Sequence, residues 1–178
     1  MALTVVFETH STTEDNERGL ATGWLGGRLS AAGHAQARSL GDRRRDDGIH
    51  AVVCSDLARA RETVEVALGA DAIPVLFDWR LRECDFGALN GAARELVHAD
   101  RAAHLAVPYP GGESWRDAVA RVGRCLADLR ERYEGCRVLV VGHVATYWGL
   151  EHWVHEVPLE VLAGRPFEWQ PGWEYTLS

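Results

Sequence analysis

Short apolar runs rich in β-branched residues recur along this chain, separated by stretches of helical length. The sharpest are residues 3–7 (LTVVF), 49–54 (IHAVVC) and 137–141 (RVLVV). Runs this continuous suit strands buried on both faces, and such strands pair in parallel beneath helices. Ser30 opens a helix expected to reach about Arg45, and Ser55 with Asp56 opens one to about Leu68. Residues 8–29 read as a loop, 73–77 as a short strand and 79–82 as its extension. Residues 91–106 read as one helix ending before Pro108. Ser114 and Asp117 make a capping-box pattern. The helix it opens places Trp115, Val119, Val122, Leu126, Leu129 and Tyr133 at a period of about 3.6 residues. Residues 145–154 read as another helix and 169–177 as an edge strand. Strands alternating with helices imply an α/β fold: a three-layer sandwich with a mostly parallel central sheet flanked by helices, in one domain over residues 1–178.

Composition narrows the chemistry. All 19 basic residues are arginine, so Schiff-base chemistry and a lysine-bearing phosphate loop are both excluded. The formal net charge of −7 argues against nucleic acid and leaves room for a small anion in a locally positive pocket. No apolar run approaches the ~20 residues of a membrane helix, and residues 1–7 lack the basic flank and cleavage site of a signal peptide. The expectation is a cytoplasmic protein with no membrane and no nucleic-acid partner. Cys54, Cys84, Cys125 and Cys136 form no Cys-x-x-Cys pair and read as reduced thiols. His152, His155 and Glu156 have tolerable metal-ligand spacing without an evident third ligand, so no metal site is expected.

Ligands of such sheets bind beyond the carboxyl ends of the strands. Three of these ends carry polar chemistry. The first run continues into Glu8-Thr9-His10-Ser11, the second into Ser55-Asp56-Leu57-Ala58-Arg59, and the run at 137–141 into Gly142-His143. Arg59 falls in the first turn of a helix, where free amides already favour an anion. Two imidazoles, a guanidinium and a helix N-terminus suit a phosphate better than a metal cation.

At these residues the chain resembles the histidine phosphatase superfamily, with its phosphoglycerate-mutase-like fold. The resemblance runs through Thr9-His10-Ser11-Thr12-Thr13, Asn16, Thr22-Gly23-Trp24 and Leu29-Ser30 with Gly33. It continues through Ser55-Asp56-Leu57-x-Arg59-Ala60-x-x-Thr63, Leu81 to Gly87, Gly112-Glu113-Ser114 and Val140-Val141-Gly142-His143. It implies a cofactor-free, metal-independent phosphatase acting on a small phosphorylated metabolite. His10 would be the nucleophile that forms a phosphohistidine, and Glu83 the general acid and base. Arg59 and His143 would hold the equatorial oxygens, with Thr9, Asn16, Thr22 and Gly23 lining the phosphate. A phosphomutase and a catalytically weakened phosphate-binding protein of the same fold are the alternatives.

The chain departs from the family pattern at three points. Thr9 stands where the family carries an arginine directly before the nucleophile, so a bidentate clamp is exchanged for a hydroxyl. Arg18, Arg28 and Arg82 lie in segments that could resupply the charge. Glu8 puts a carboxylate where the strand should be apolar, and the expectation is pairing with one of those arginines or, as the alternative, contact with a cationic or hydroxyl-rich part of the substrate. Val144 replaces the glycine that follows the second histidine. Trp148, Trp153, Trp169 and Trp173 crowd the last 31 residues and suit core packing, a homodimer surface or an aromatic wall for a ring-bearing substrate.

Overall fold

The computed structural model describes residues 1–69 and 73–178. In chain order it contains β1 (Leu3–Thr9), α1 (Glu14–Glu17), β2 (Leu20–Ala21), α2 (Ala31–Arg44), β3 (Ala51–Cys54), α3 (Ala58–Leu68) and β4 (Val75–Phe77). There follow β5 (Ala92–Ala93), α4 (Arg94–Ala99), α5 (Trp115–Arg132), β6 (Arg137–Gly142), α6 (Val144–His155), α7 (Leu159–Gly164) and β7 (Trp173–Leu177). Five strands form the main sheet in the order β4-β3-β6-β1-β7. The first four run parallel; β7 lies antiparallel on β1 at the edge. No helix among the described residues is long and apolar enough to cross a membrane.

Successive strand residues point to opposite faces, so each apolar run feeds two layers at once. Val6, Val52, Cys54, Leu139 and Val141 pack with Leu40 of α2 and with Ala60, Val64 and Leu68 of α3. Val5, Phe7, Val53, Val138 and Val140 pack with Val122, Cys125, Leu126 and Leu129 of α5 and Leu150 of α6. That is the expected three-layer sandwich. A third cluster lies beside the sheet, where Cys84, Phe86, Val97 and Tyr109 meet Trp115 of α5 and Trp148 of α6. It anchors the long connection between β4 and α5.

Local sequence chemistry sets the helix starts. Ser30 accepts from the Gly33 N–H, and Ser114 and Asp117 close a reciprocal capping box. The start of α3 differs from expectation. Its cap is Leu57, without a side-chain hydrogen bond, because Ser55 Oγ accepts from the Leu57 N–H and is committed elsewhere. Residues 79–82 do not extend the sheet: Asp78 accepts from the Arg80 N–H and starts a 3-10 turn over Trp79–Leu81. Residues 91–106 are not one helix either. Ala92–Ala93 pairs with Leu20–Ala21, α4 follows, and a 3-10 turn covers Arg101–His104. The expected loop over residues 8–29 carries α1 and β2, because Thr13 and Asn16 cap one another.

Glu8 departs from expectation in its partners. Alternation puts its side chain on the Val6 face, over α2, where it is 1% exposed. Arg44 donates to Oε1 from Nε and Nη2 at 3.0 and 2.7 Å, and Arg43 Nη2 reaches both oxygens at 3.2 and 3.3 Å. Arg18, Arg28 and Arg82 take no part. Arg44 also donates to the Pro171 carbonyl, tying the segment before β7 to the sheet. Removing one side of a buried ion pair leaves the other charge uncompensated. Glu8→Ala should therefore lower unfolding stability by about 3 kcal/mol, and Arg43→Ala by under about 1 kcal/mol, because Arg44 still neutralises the carboxylate. Urea titration of the two variants checks this; equal losses would show that Arg44 alone does not suffice.

Candidate active site

Three parallel strands release their chains at one sheet edge, and one cavity of about 680 Å³ opens there. Thr9, His10, Asn16, Thr22, Gly23, Arg59, Glu83 and His143 all line it. They come from six segments, gathered by the order β3-β6-β1 at the centre of the sheet.

His10 follows β1, and its backbone N–H continues the ladder by donating to the Gly142 carbonyl. Its Nδ1 lies 2.8 Å from the Ser11 carbonyl. A carbonyl can only accept, so this contact puts the proton on Nδ1 and leaves a lone pair on Nε2. Arg59 Nε donates to that nitrogen at 3.3 Å. Burial and the neighbouring Arg59 cation lower the His10 pKa to about 3, against a small opposing contribution from the Ser11 carbonyl. The imidazole is therefore neutral at pH 7.

Arg59 enters from the first turn of α3 and is 2% exposed. Its guanidinium is held by neutral acceptors. Nη2 donates to the Gly23 carbonyl at 2.8 Å and Nη1 to the Leu25 carbonyl at 3.1 Å. Nη2 also lies 3.4 Å from His143 Nδ1. Burial lowers its pKa to about 10, with Glu83 and Asp15 opposing, so it remains charged at neutral pH. Gly23 is required here twice over. Its φ is +55°, and a Cβ would stand 1.8 Å from Asn90 Oδ1.

His143 caps α6 and is 1% exposed. Its Nε2 lies 2.8 Å from Ser55 Oγ, and its ring centroid is 5.0 Å from that of His10. Burial, then Arg59 and His10, hold its pKa well below the usual histidine value. Gly142 before it must be glycine, since a Cβ would meet Thr146 Oγ1 at 2.3 Å. Val144 is accommodated without a left-handed backbone; it lines the cavity and its N–H remains usable.

Glu83 is not in a surface salt bridge with Arg80 or Arg82, which pair with Asp78, Asp128 and Asp56. Its carboxylate accepts from the backbone N–H groups of Cys84, Ala145 and Val144 at 2.9, 3.1 and 3.3 Å. Two of these lie at the start of α6, beside His143. The Glu83 backbone is fixed by Arg121, a residue that no sequence motif singles out. Arg121 donates to the carbonyls of Arg80, Arg82 and Glu83 and pairs with Glu113. Its signal was an arginine on the apolar stripe of α5, between Ala118 and Val122. Asp85 points elsewhere, accepting from Gly87 N and Asn90 Nδ2.

The neutral candidates are also oriented. Asn16 Oδ1 accepts from the Thr13 N–H, which frees its amide nitrogen for the cavity. Thr22 Oγ1 contacts Asp15 at 3.4 Å. Thr9 is nearly buried at the cavity wall. None of Arg18, Arg28 and Arg82 lines the cavity; Arg82 lies over the Trp24 ring in its pair with Asp56. The further basic side chains lining the cavity are Arg94, His98 and Arg101, none of which the motifs single out. Their spacing of four and then three residues, one face of a helix, was the available signal. Glu8 lies outside the cavity lining. Of the late tryptophans, Trp148 is core and Trp169 is a half-exposed cavity wall beside Phe167. His152 and His155 are engaged with the Val157 carbonyl and Glu151, and among the described residues no three His, Cys, Asp or Glu side chains are placed to hold a metal.

The probable phosphoglycerate mutase GpmB of Salmonella typhi is 33% identical over 170 residues, covering 85% of this chain and 77% of that protein. Among solved structures, Bacillus stearothermophilus YhfR superposes with a TM-score of 0.85 at 28% identity, covering 95% of this chain and 88% of the other. A putative alpha-ribazole-5'-P phosphatase from Escherichia coli superposes with a TM-score of 0.78 at 26% identity, covering 91% and 84%. The family model for the histidine phosphatase superfamily (branch 1) matches residues 5–169, and the chain belongs to that superfamily.

Proposed function

We propose that the protein is a metal-independent phosphomonoesterase that works through a phosphohistidine on His10. The observation that carries this reading is the His10 ring, neutral and pinned at Nδ1 by the Ser11 carbonyl, with its Nε2 lone pair turned toward Arg59. A nucleophile needs that lone pair free of a proton, and a phosphoryl group needs a cation beside it.

In the first step His10 Nε2 attacks phosphorus in line, the bond to the ester oxygen breaks, and Glu83 gives that oxygen a proton. In the second step the Glu83 carboxylate takes a proton from water. The hydroxide attacks phosphorus, the N–P bond breaks, and inorganic phosphate leaves. Arg59 balances charge on the equatorial oxygens throughout. His143 contributes a neutral donor. Ser55 Oγ accepts from the Leu57 N–H, so its own proton can go to His143 Nε2, which leaves an Nδ1–H for a phosphate oxygen.

Transfer to a substrate hydroxyl instead of water is the second reading, favoured by the mutase name of the 33% identical relative. Phosphate release in the absence of any acceptor separates the two. A panel of sugar phosphates, nucleotides and phosphorylated acids, each with EDTA, tests the main reading. Turnover should survive EDTA and be lost in His10→Ala, and acid-labile, base-stable labelling should map to His10. Labelling at another residue would overturn it.

In single-turnover formation of the phosphoenzyme, Glu83→Gln should slow alkyl esters by about 10²–10⁴-fold and activated aryl esters far less, since only a poor leaving group needs the proton. Equal slowing of both would remove Glu83 from the acid role.

The histidines also leave a pH signature. Below pH 6.5 the unfolded chain protonates these imidazoles, while folded His10 resists down to about pH 3. The unfolded state then binds more protons, so stability falls as pH falls through that window, by up to about 1.4 kcal/mol per pH unit for each histidine. Urea denaturation between pH 7.5 and 4.5 should show a shallower loss in His10→Gln than in wild type. Parallel curves would contradict the neutral assignment.

A further inference from the structure

Trp24 is placed unusually for a large aromatic side chain. It is half-buried, and among the described residues it belongs to none of the three apolar clusters that make the core. Two arginines meet its ring instead. The Arg82 guanidinium lies 4.6 Å from the centroid and that of Arg121 lies 6.0 Å away. The indole N–H donates to the Glu83 carbonyl at 2.7 Å. A tryptophan kept for its apolar area packs against hydrocarbon. This one is held where its N–H meets the backbone of the proton donor.

The chain on either side of Trp24 holds the cation. Gly23 and Leu25 give their carbonyls to Arg59 Nη2 and Nη1 at 2.8 and 3.1 Å. Beyond them the loop is thinly supported. Leu25, Gly26 and Arg28 are exposed, and a Cβ on Gly26 would touch nothing within 4 Å. Among the described residues no other hydrogen bond joins residues 22–28 to residues 79–85. Arg82 pairs with Asp56 before α3, but both partners are more than a quarter exposed, where an ion pair contributes little. Arg121 Nη2 also donates to the Glu83 carbonyl, at 2.7 Å. A carbonyl oxygen has two lone pairs, and these two donors fill them. Arg121 fixes the acid's segment to α5. Trp24 fixes it to the loop that holds Arg59.

We propose that Trp24 is a positioning residue for Glu83. Its indole N–H sets the acid's segment at a fixed distance from the Arg59 loop, so that a phosphate held by Arg59 presents its ester oxygen to the Glu83 carboxyl. Trp24 does not line the cavity, so it acts through Glu83 and not on the substrate. Proton transfer needs hydrogen-bond reach, and a misplacement of about 1 Å can cost about 10²-fold in rate. The inference rests on the phosphatase reading and adds to it a residue outside the cavity.

Single-turnover formation of the phosphoenzyme tests this in Trp24→Phe, which keeps a ring beside Arg82 and removes the N–H. The substrates are the best alkyl ester of the panel above and 4-nitrophenyl phosphate. The alkyl ester should slow by about ten- to a hundredfold and the aryl ester by less than about threefold. Inorganic phosphate should bind with wild-type affinity. A merely structural role would slow both esters alike and weaken phosphate binding. The same substitution made in Glu83→Gln should change the alkyl rate by less than about threefold, because no acid remains to be positioned. If circular dichroism shows Trp24→Phe unfolded, a benzothiophene analogue of tryptophan at position 24, similar in shape but without the N–H, carries the same test. Equal slowing of both esters, no slowing, or an effect undiminished in Glu83→Gln overturns the positioning role and leaves the phosphatase reading intact. A wild-type protein that forms no phosphoenzyme with either ester overturns both.

Discussion

Arg59 carries a full positive charge into a place where its contacts are two carbonyl oxygens and two imidazole nitrogens. A buried guanidinium without a carboxylate in contact is costly unless its donors are satisfied, and here they are satisfied by the very groups that shape the cavity. Gly23 and Leu25 must present their carbonyls, which fixes the loop after β2 and makes the left-handed glycine obligatory. His10 must stay neutral to accept from Arg59, and the same cation disfavours protonation of both histidines. The arrangement is mutually consistent, and it leaves a cation with few options but to attract an anion.

The sheet delivers these groups and the surrounding connections orient them. Parallel strands end together, so His10, Arg59 and His143 reach one edge whatever the loops do. Glu83 is different. It arrives on an irregular segment whose carbonyls are gripped by Arg121 from α5, and whose carboxylate is received by the first N–H groups of α6. The cluster of Trp115, Trp148, Tyr109 and Phe86 holds that segment down, and the same tryptophans form the floor beneath Arg101. Glu83 and Arg101 thus share one support.

Much of this was readable from residue order. The strand runs, the caps at Ser30 and Ser114, and the polar strand ends are local properties, and each is found within a few residues of where spacing placed it. The errors have a common cause. Asp78 captured a backbone N–H and turned a projected strand into a 3-10 turn. The 91–106 segment was broken because Ala92–Ala93 found a partner strand seventy residues upstream. Glu8 looked like a misplaced charge because its partners, Arg43 and Arg44, lie a full helix away in sequence.

The sequence by itself determined the layered α/β architecture, the absence of lysine chemistry and the identity of the strand-end residues, because hydrophobic periodicity and strand direction are written locally. Only the tertiary structure decided which arginines face the cavity, that Arg121 positions Glu83, and which nitrogen of His10 is free. Those outcomes depend on which groups meet across the fold when water is removed, and the burial that sets protonation and pairing has no counterpart in the order of residues.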